Sequence, residues 1–121
     1  MTDEDLLARA AAIAARAYSP YSKFQVGCAI LARDGTVFEG VNVENAAYPL
    51  GICAEKNGIG TAVNEGYGVG DFEAIAITHS PCGGCRQGLW EFRLDRVVFR
   101  NQGNVVTVTP GELLPETFDD L

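Results

Sequence analysis

Two short stretches, "GICAEKNGIG" (Gly51–Gly60) and "SPCGGCRQ" (Ser80–Gln87), decide how this chain is read. The first sets a cysteine, a glutamate and a lysine within four positions; the second adds two cysteines spaced C-x-x-C. Cys53 and Cys82 each fall at a predicted helix start, and Cys85 falls within the first turn of the second helix. Unpaired N–H groups and partial positive charge at helix N-termini favour thiolate over thiol. Three thiolates converging from two helices would bind zinc, with a fourth position left open for water.

Two other residues could close that position. Cys28 lies inside "VGCAILA", among small and apolar neighbours, and reads as a buried core thiol. His79 ends a strand three residues before Cys82 and is expected to hydrogen-bond a backbone group or to face solvent. Glu55, two residues after Cys53, is not needed as a ligand. In its first-turn position it suits the helix dipole. Beside an open metal position it is also free to move protons, as base and then as acid.

Working outward, Thr2 and Asp5 resemble a capping box. Leu6, Leu7, Ala10, Ile13, Ala14 and Ala17 recur at helical spacing, so the pattern predicts an amphipathic helix over Asp3 to Ala17. Pro20 in "YSPYSKF" breaks it. "VGCAILA" and "TVFEGVN" flank Asp34-Gly35, a hairpin signal. A helix follows from Cys53 to about Glu65, then the apolar strand "EAIAITH", then a helix from near Cys82. "RVVFR" and "NVVTVT" are strands around a turn at Asn101 to Asn104, and Thr109-Pro110 opens a short helix through Leu114. The order αββαβαββα predicts an α/β fold with a five-stranded sheet layered with helices.

Composition narrows the function. A chain of 121 residues, 47% hydrophobic, suits one domain spanning 1–121. The net charge is −7, and the one arginine cluster, Arg93, Arg96 and Arg100, is diluted by Glu91 and Asp95. No basic stripe exists for tracking phosphates, so polymeric nucleic acid is not an expected partner. An acidic N-terminus without an apolar core argues against a signal peptide. No apolar run reaches membrane length. The expected location is the cytoplasm, where four cysteines point to metal or catalysis rather than disulfides.

"NVENAAYPLGICAEK" (Asn42–Lys56) together with "SPCGGCRQ" closely resembles the cytidine deaminase family, the small type with three cysteine ligands. The zinc deaminase signature is a His- or Cys-x-Glu followed by P-C-x-x-C. Here it reads Cys53-Ala54-Glu55 and Pro81-Cys82-Gly83-Gly84-Cys85, and the resemblance extends from "YSPYSKFQVG" to "ELLPETF". It implies a three-layer fold with a five-stranded mixed sheet. It further implies Zn2+ on Cys53, Cys82 and Cys85, attack at C4 of a pyrimidine, and Glu55 as proton shuttle. Phe24 would flank the base, the Ala54 backbone would contact the base edge, and the Ser80 carbonyl would face the amine. Asn42 and Glu44 would hold the ribose hydroxyls, which favours nucleoside over nucleotide. The implied assembly is a homotetramer with shared sites, to which Tyr48 and Phe118 reach across from a neighbouring subunit.

The implied activity is zinc-dependent deamination of cytidine and deoxycytidine in pyrimidine salvage. Alternatives are the same chemistry on another aminopyrimidine, an N4-substituted nucleoside or an antibiotic nucleoside, or a non-catalytic zinc or thiol redox module. The chain departs from the family pattern in three ways. Lys56 stands where arginine is usual, the connection before Ser80 is short, and glycines occupy positions 58, 60 and 84. Either Lys56 or Arg86 would hydrogen-bond the metal sulfurs, and the arginine usual in the family points to Lys56. The small residues Ala54, Gly58, Thr61 and Ala62 hint at self-association through the central helix.

Overall fold

The computed structural model describes residues 1–118; the end of the acidic tail, 119–121, lies outside the described residues. The capping box forms as expected: Thr2 Oγ1 accepts from the Asp5 N–H and Asp5 accepts from the Thr2 N–H. Helix α1 spans Asp3–Ile13 and tightens into a 3-10 turn over Ala14–Arg16, so it ends earlier than its apolar period suggests. The cause is downstream. Ala17 is already extended, and the Tyr18 N–H is committed to the Asn42 carbonyl, 3.0 Å away.

Strands β1 (Gly27–Ala32) and β2 (Val37–Val41) form the hairpin around Asp34-Gly35, with Gly35 at φ +92°. Then follow α2 (Ala54–Asn64), β3 (Phe72–Ile77), α3 (Gly83–Glu91), β4 (Arg96–Asn101), β5 (Asn104–Val108) and α4 (Pro110–Leu113). The sheet order is β2-β1-β3-β4-β5. β3 and β4 run parallel and the other pairs antiparallel, so the sheet is mixed, as expected.

β1 is buried along its whole length, which marks a strand covered on both faces. Its alternation sorts the layers. Ala29 and Leu31 meet Leu6, Leu7 and Ala10 of α1. Cys28, Ile30 and Ala32 face the opposite layer, with Ala54, Ile59 and Ala62 of α2 and Leu89 of α3.

The small face of α2 has a different cause from the one its sequence suggests. A side chain on Gly40 of β2 would begin 2.4 Å from the Ala54 carbonyl oxygen and 2.5 Å from the Gly58 nitrogen. A side chain on Gly58 would begin 2.9 Å from Cys28 Sγ. Helix and strand therefore touch backbone to backbone, and Ala54, Gly58 and Ala62 are spent on the chain's own sheet. Thr61, the fourth member, lies outside that contact and is exposed.

Candidate active site

The sheet's geometry brings two distant helix starts together. Cys53 is the N-cap of α2, Cys82 is the N-cap of α3, and Cys85 sits in the first turn of α3. Their Sγ atoms all lie within 4.8 Å of one another, with Cys53 and Cys82 3.7 Å apart, and all are free thiols. Tetrahedral zinc with Zn–S near 2.3 Å sets its sulfurs roughly 3.8 Å apart. Both the spacing and the soft donors therefore fit zinc. Among the described residues, no fourth His, Cys, Asp or Glu joins the group. Cys28 is fully buried and donates to the Ala54 carbonyl, 3.3 Å away, and burial drives its pKa strongly upward.

The thiols differ among themselves. Burial raises the pKa of Cys85 far above the thiol range, with the neighbouring Glu55 charge adding to it. Cys53 is also raised, mainly by burial. Burial pushes Cys82 the same way, but hydrogen bonds from the Cys85 and Gly84 N–H groups and from the other two thiols outweigh it. Its pKa is lowered, so Cys82 is the most readily deprotonated thiol of the three.

Glu55 is 4% exposed in the first turn of α2. Burial raises its pKa, while the Cys85 thiol and the Lys56 charge pull the other way. A carboxyl placed so is suited to carry a proton as well as to accept one.

These groups floor a cleft of about 330 Å³ lined by Phe24, Asn42, Glu44, Tyr48, Cys53, Ala54, Glu55, Ser80 and Cys82. The 19–26 loop builds its outer wall through two side chains from the end of β2. Asn42 accepts from the Val26 N–H at 2.8 Å and donates to the Phe24 carbonyl at 2.8 Å. Glu44 accepts from the Tyr21 and Ser22 N–H groups at 3.0 and 3.1 Å and from the Ser22 hydroxyl. Those hydrogen bonds hold its pKa down, the Ser22 hydroxyl first, so the cleft keeps a carboxylate there.

Four further expected residues stand at the rim of the cleft, beside the cysteine cluster or on the surface. Tyr48 stands at the rim of its own chain's cleft, edge-on to Tyr21 with ring centroids 6.3 Å apart. Arg86 does not serve the sulfurs. Its guanidinium donates to the Pro81 carbonyl, the Leu113 carbonyl and Ser80 Oγ, because the turn before Cys82 and the end of α4 both present oxygens there. Lys56 is exposed, and its Nζ lies 3.9 Å from where a Gly84 side chain would begin, over the Cys82–Cys85 turn. Phe118 is 72% exposed on the chain's surface.

His79 is exposed, as expected, but its place in the cleft lining was not anticipated from the sequence. It lines the cleft beside Phe24, with ring centroids 4.4 Å apart, and its Nδ1 lies 3.1 Å from Thr78 Oγ1. The short connection between β3 and Cys82 was the available signal, since few residues there remain to form the wall.

Three thiols at zinc spacing beside a buried glutamate invite comparison with known zinc hydrolases. The family model of the cytidine and deoxycytidylate deaminase zinc-binding region matches residues 1–101. The chain belongs to this family. It is 39% identical to the cytidine deaminase of Sporosarcina psychrophila, over 98% of this chain and 92% of that protein. Among solved structures, the cytidine deaminase from Burkholderia pseudomallei superposes with a TM-score of 0.90 at 43% identity, covering 98% of this chain and 100% of that one. The cytidine deaminase from Mycobacterium tuberculosis superposes with a TM-score of 0.85 at 35% identity, covering 98% of each. The five-stranded mixed sheet with its flanking helices is thus the fold of cytidine deaminases. Among the described residues, no helix is long and apolar enough to cross a membrane.

Proposed function

We propose that this chain hydrolyses the exocyclic amine of cytidine and deoxycytidine, giving uridine or deoxyuridine and ammonia, a salvage reaction of the cytoplasm. The observation that carries this reading is a cluster of three thiols at zinc spacing, two of which, Cys53 and Cys82, line one cleft together with the buried Glu55. Family membership supports it.

Cys53, Cys82 and Cys85 would hold Zn2+, which when bound supplies the Lewis acidity that activates water for attack at C4. Glu55 takes a proton from water, passes it to N3 and then delivers one to the departing amine. The C–O bond forms at C4 as N3 gains its proton. The C–N bond breaks afterwards, when the added hydroxyl gives up its own proton through Glu55 to the amine, and ammonia leaves behind a C4 carbonyl. The raised pKa of Glu55 suits both directions of transfer. The cleft volume falls within the range of about 300–1,000 Å³ typical of small-molecule sites. Phe24 flanks the base, the free N–H of Ala54 at the start of α2 reads its edge, and the Ser80 carbonyl accepts from the amine.

Asn42 and Glu44 hold the ribose hydroxyls. Glu44 is already fixed by Tyr21 and Ser22, so its remaining lone pairs are aimed before substrate arrives. Its negative charge disfavours a 5′-phosphate, which selects nucleoside over nucleotide. Four chains are proposed to assemble with shared sites, Tyr48 and Phe118 crossing between them. Exposure of both aromatic rings supports this.

Ammonia release from a panel of aminopyrimidine nucleosides and nucleotides tests the activity. Cytidine and deoxycytidine should turn over, and cytidine 5′-monophosphate should not. Glu55→Gln should keep fold and zinc while losing at least roughly 10²–10⁴-fold in rate. Turnover within threefold of the parent would remove Glu55 from the mechanism. Light scattering tests the assembly, and a strict monomer would end the shared-site reading.

A further inference from the structure

Beyond α4 the chain runs against α3 without regular structure, and two consecutive residues of α3 hold it. Arg86 donates to the carbonyl of Leu113, 3.0 Å away. Gln87 then reads the backbone of Phe118 in both directions. Its Nε2 donates to the Phe118 carbonyl at 2.8 Å, and its Oε1 accepts from the Phe118 N–H at 3.3 Å. A single side-chain amide here supplies the two-way pairing that one strand gives another. Between the two anchor points Glu116 takes φ +55°, a left-handed conformation that is costly for a residue with a β-carbon. Strain of this kind persists where the surroundings over-determine the backbone, as anchoring at Leu113 and Phe118 does.

The ring that this arrangement carries is not used by its own chain. Phe118 stays 72% exposed, belongs to neither apolar cluster of the core, and is absent from the lining of its own chain's cleft. Ordering a backbone residue costs about 1–2 kcal/mol. Two hydrogen bonds at the last described residue therefore hold in place a large apolar group that the fold itself leaves in solvent.

We propose that Gln87 is a positioning residue for substrate binding: it fixes the direction in which Phe118 projects, so that the ring reaches a neighbouring chain's cleft already oriented. This rests on the shared-site reading above. Gln87 touches no substrate and acts entirely through Phe118. Its contribution is preorganisation, which shows as affinity rather than as chemistry.

The test is a double-mutant cycle on the zinc-loaded protein with cytidine, comparing Gln87→Ala, Phe118→Ala and the double variant. Alanine is well tolerated in a helix, so Gln87→Ala should fold. KM should rise about tenfold in Gln87→Ala, as loss of one to two net hydrogen bonds would give, with kcat within twofold of the parent. The double variant should match Phe118→Ala, because once the ring is gone its mount has nothing to orient. Gln87→Glu keeps the acceptor for the Phe118 N–H but loses the donor to its carbonyl, and should fall between Gln87→Ala and the parent.

A merely structural role for Gln87 predicts a different pattern. Melting temperature and zinc content would drop, kcat would fall with KM, and the two substitutions would add. Additivity, or an unchanged KM in Gln87→Ala beside a raised KM in Phe118→Ala, overturns the inference and leaves the shared site standing. An unchanged KM in Phe118→Ala overturns the shared-site reading itself.

Discussion

The buried thiol of Cys28 donates a hydrogen bond to the carbonyl of Ala54, the residue that follows cluster cysteine Cys53. Cys28 thus supports the floor of the cleft from behind without joining the metal cluster. Cys28→Ala should retain one zinc per chain and lose ~1–2 kcal/mol of stability through the small cavity it leaves. Cys53→Ala, Cys82→Ala and Cys85→Ala should each lose zinc, and stability with it, because site formation couples to folding. Metal content by atomic absorption decides the matter. Zinc loss in Cys28→Ala would end the three-ligand reading.

Metal binding should release protons. In the free cluster Cys82 is held toward thiolate, while burial holds Cys53 and Cys85 as thiols. A zinc ligand must be deprotonated, so loading zinc near neutral pH should release at least two protons per chain, those of Cys53 and Cys85. Titration of the apo protein with zinc in a weakly buffered indicator solution reads this directly. Release of fewer than two would show that Cys53 or Cys85 starts as a thiolate.

Lys56 should tune Glu55 through charge. Burial raises the Glu55 pKa, and the Lys56 ammonium partly opposes that rise. Removing the positive charge lets the Glu55 pKa climb further. Glu55 must be ionised to accept a proton, so Lys56→Gln should move the acidic limb of the pH–rate profile to higher pH. Lys56→Arg should be nearly neutral in that profile. An acidic limb that stays in place in Lys56→Gln, with normal zinc content, would show that the ammonium does not act on the site.

Gly40 should be intolerant of any side chain. A β-carbon there meets backbone atoms of Ala54 and Gly58, which cannot swing aside as a side-chain tip can. Gly40→Ala should cost at least ~3 kcal/mol, the upper end of ordinary overpacking. It should also weaken zinc binding, because α2 carries Cys53 and must move away from the sheet. The tight contacts of Gly58→Ala are side-chain atoms, Cys28 Sγ and Ile30 Cδ1, with the Gly40 nitrogen at an ordinary 3.6 Å, and the change gains about 1 kcal/mol of helix propensity. It should therefore be milder. Chemical denaturation of the two variants, with zinc retention measured alongside, checks the order.

The metal and proton groups are legible in the sequence because their chemistry constrains spacing. Cys53-x-Glu55 and Cys82-x-x-Cys85 together suit little besides a metal with a proton carrier beside it, and the strand and helix order follows from apolar periods and turn residues. Side-chain partnerships are not legible. Arg86 sits one residue from a cluster cysteine, yet its fork is committed to Leu113, which lies far along the chain. Gly58 marks a close approach to α2, but its spacing does not say that the approaching backbone is that of Gly40 in β2 rather than a partner helix. The apolar period of α1 overruns the helix end because alanines carry no stop signal, and Tyr18 is drawn off by Asn42. Such contacts depend on three-dimensional neighbours that no local spacing encodes.

Only four residues, Thr78 to Pro81, join β3 to the N-cap of α3. The cleft wall there hangs from a buried strand on a connection too short to form a separate flap. The one aromatic ring that this connection adds to the cleft lining is the imidazole of His79, leaning on Phe24. A laboratory search for variants that accept altered bases should therefore begin at a single codon, position 79, with nineteen alternatives to screen rather than a library of loop lengths.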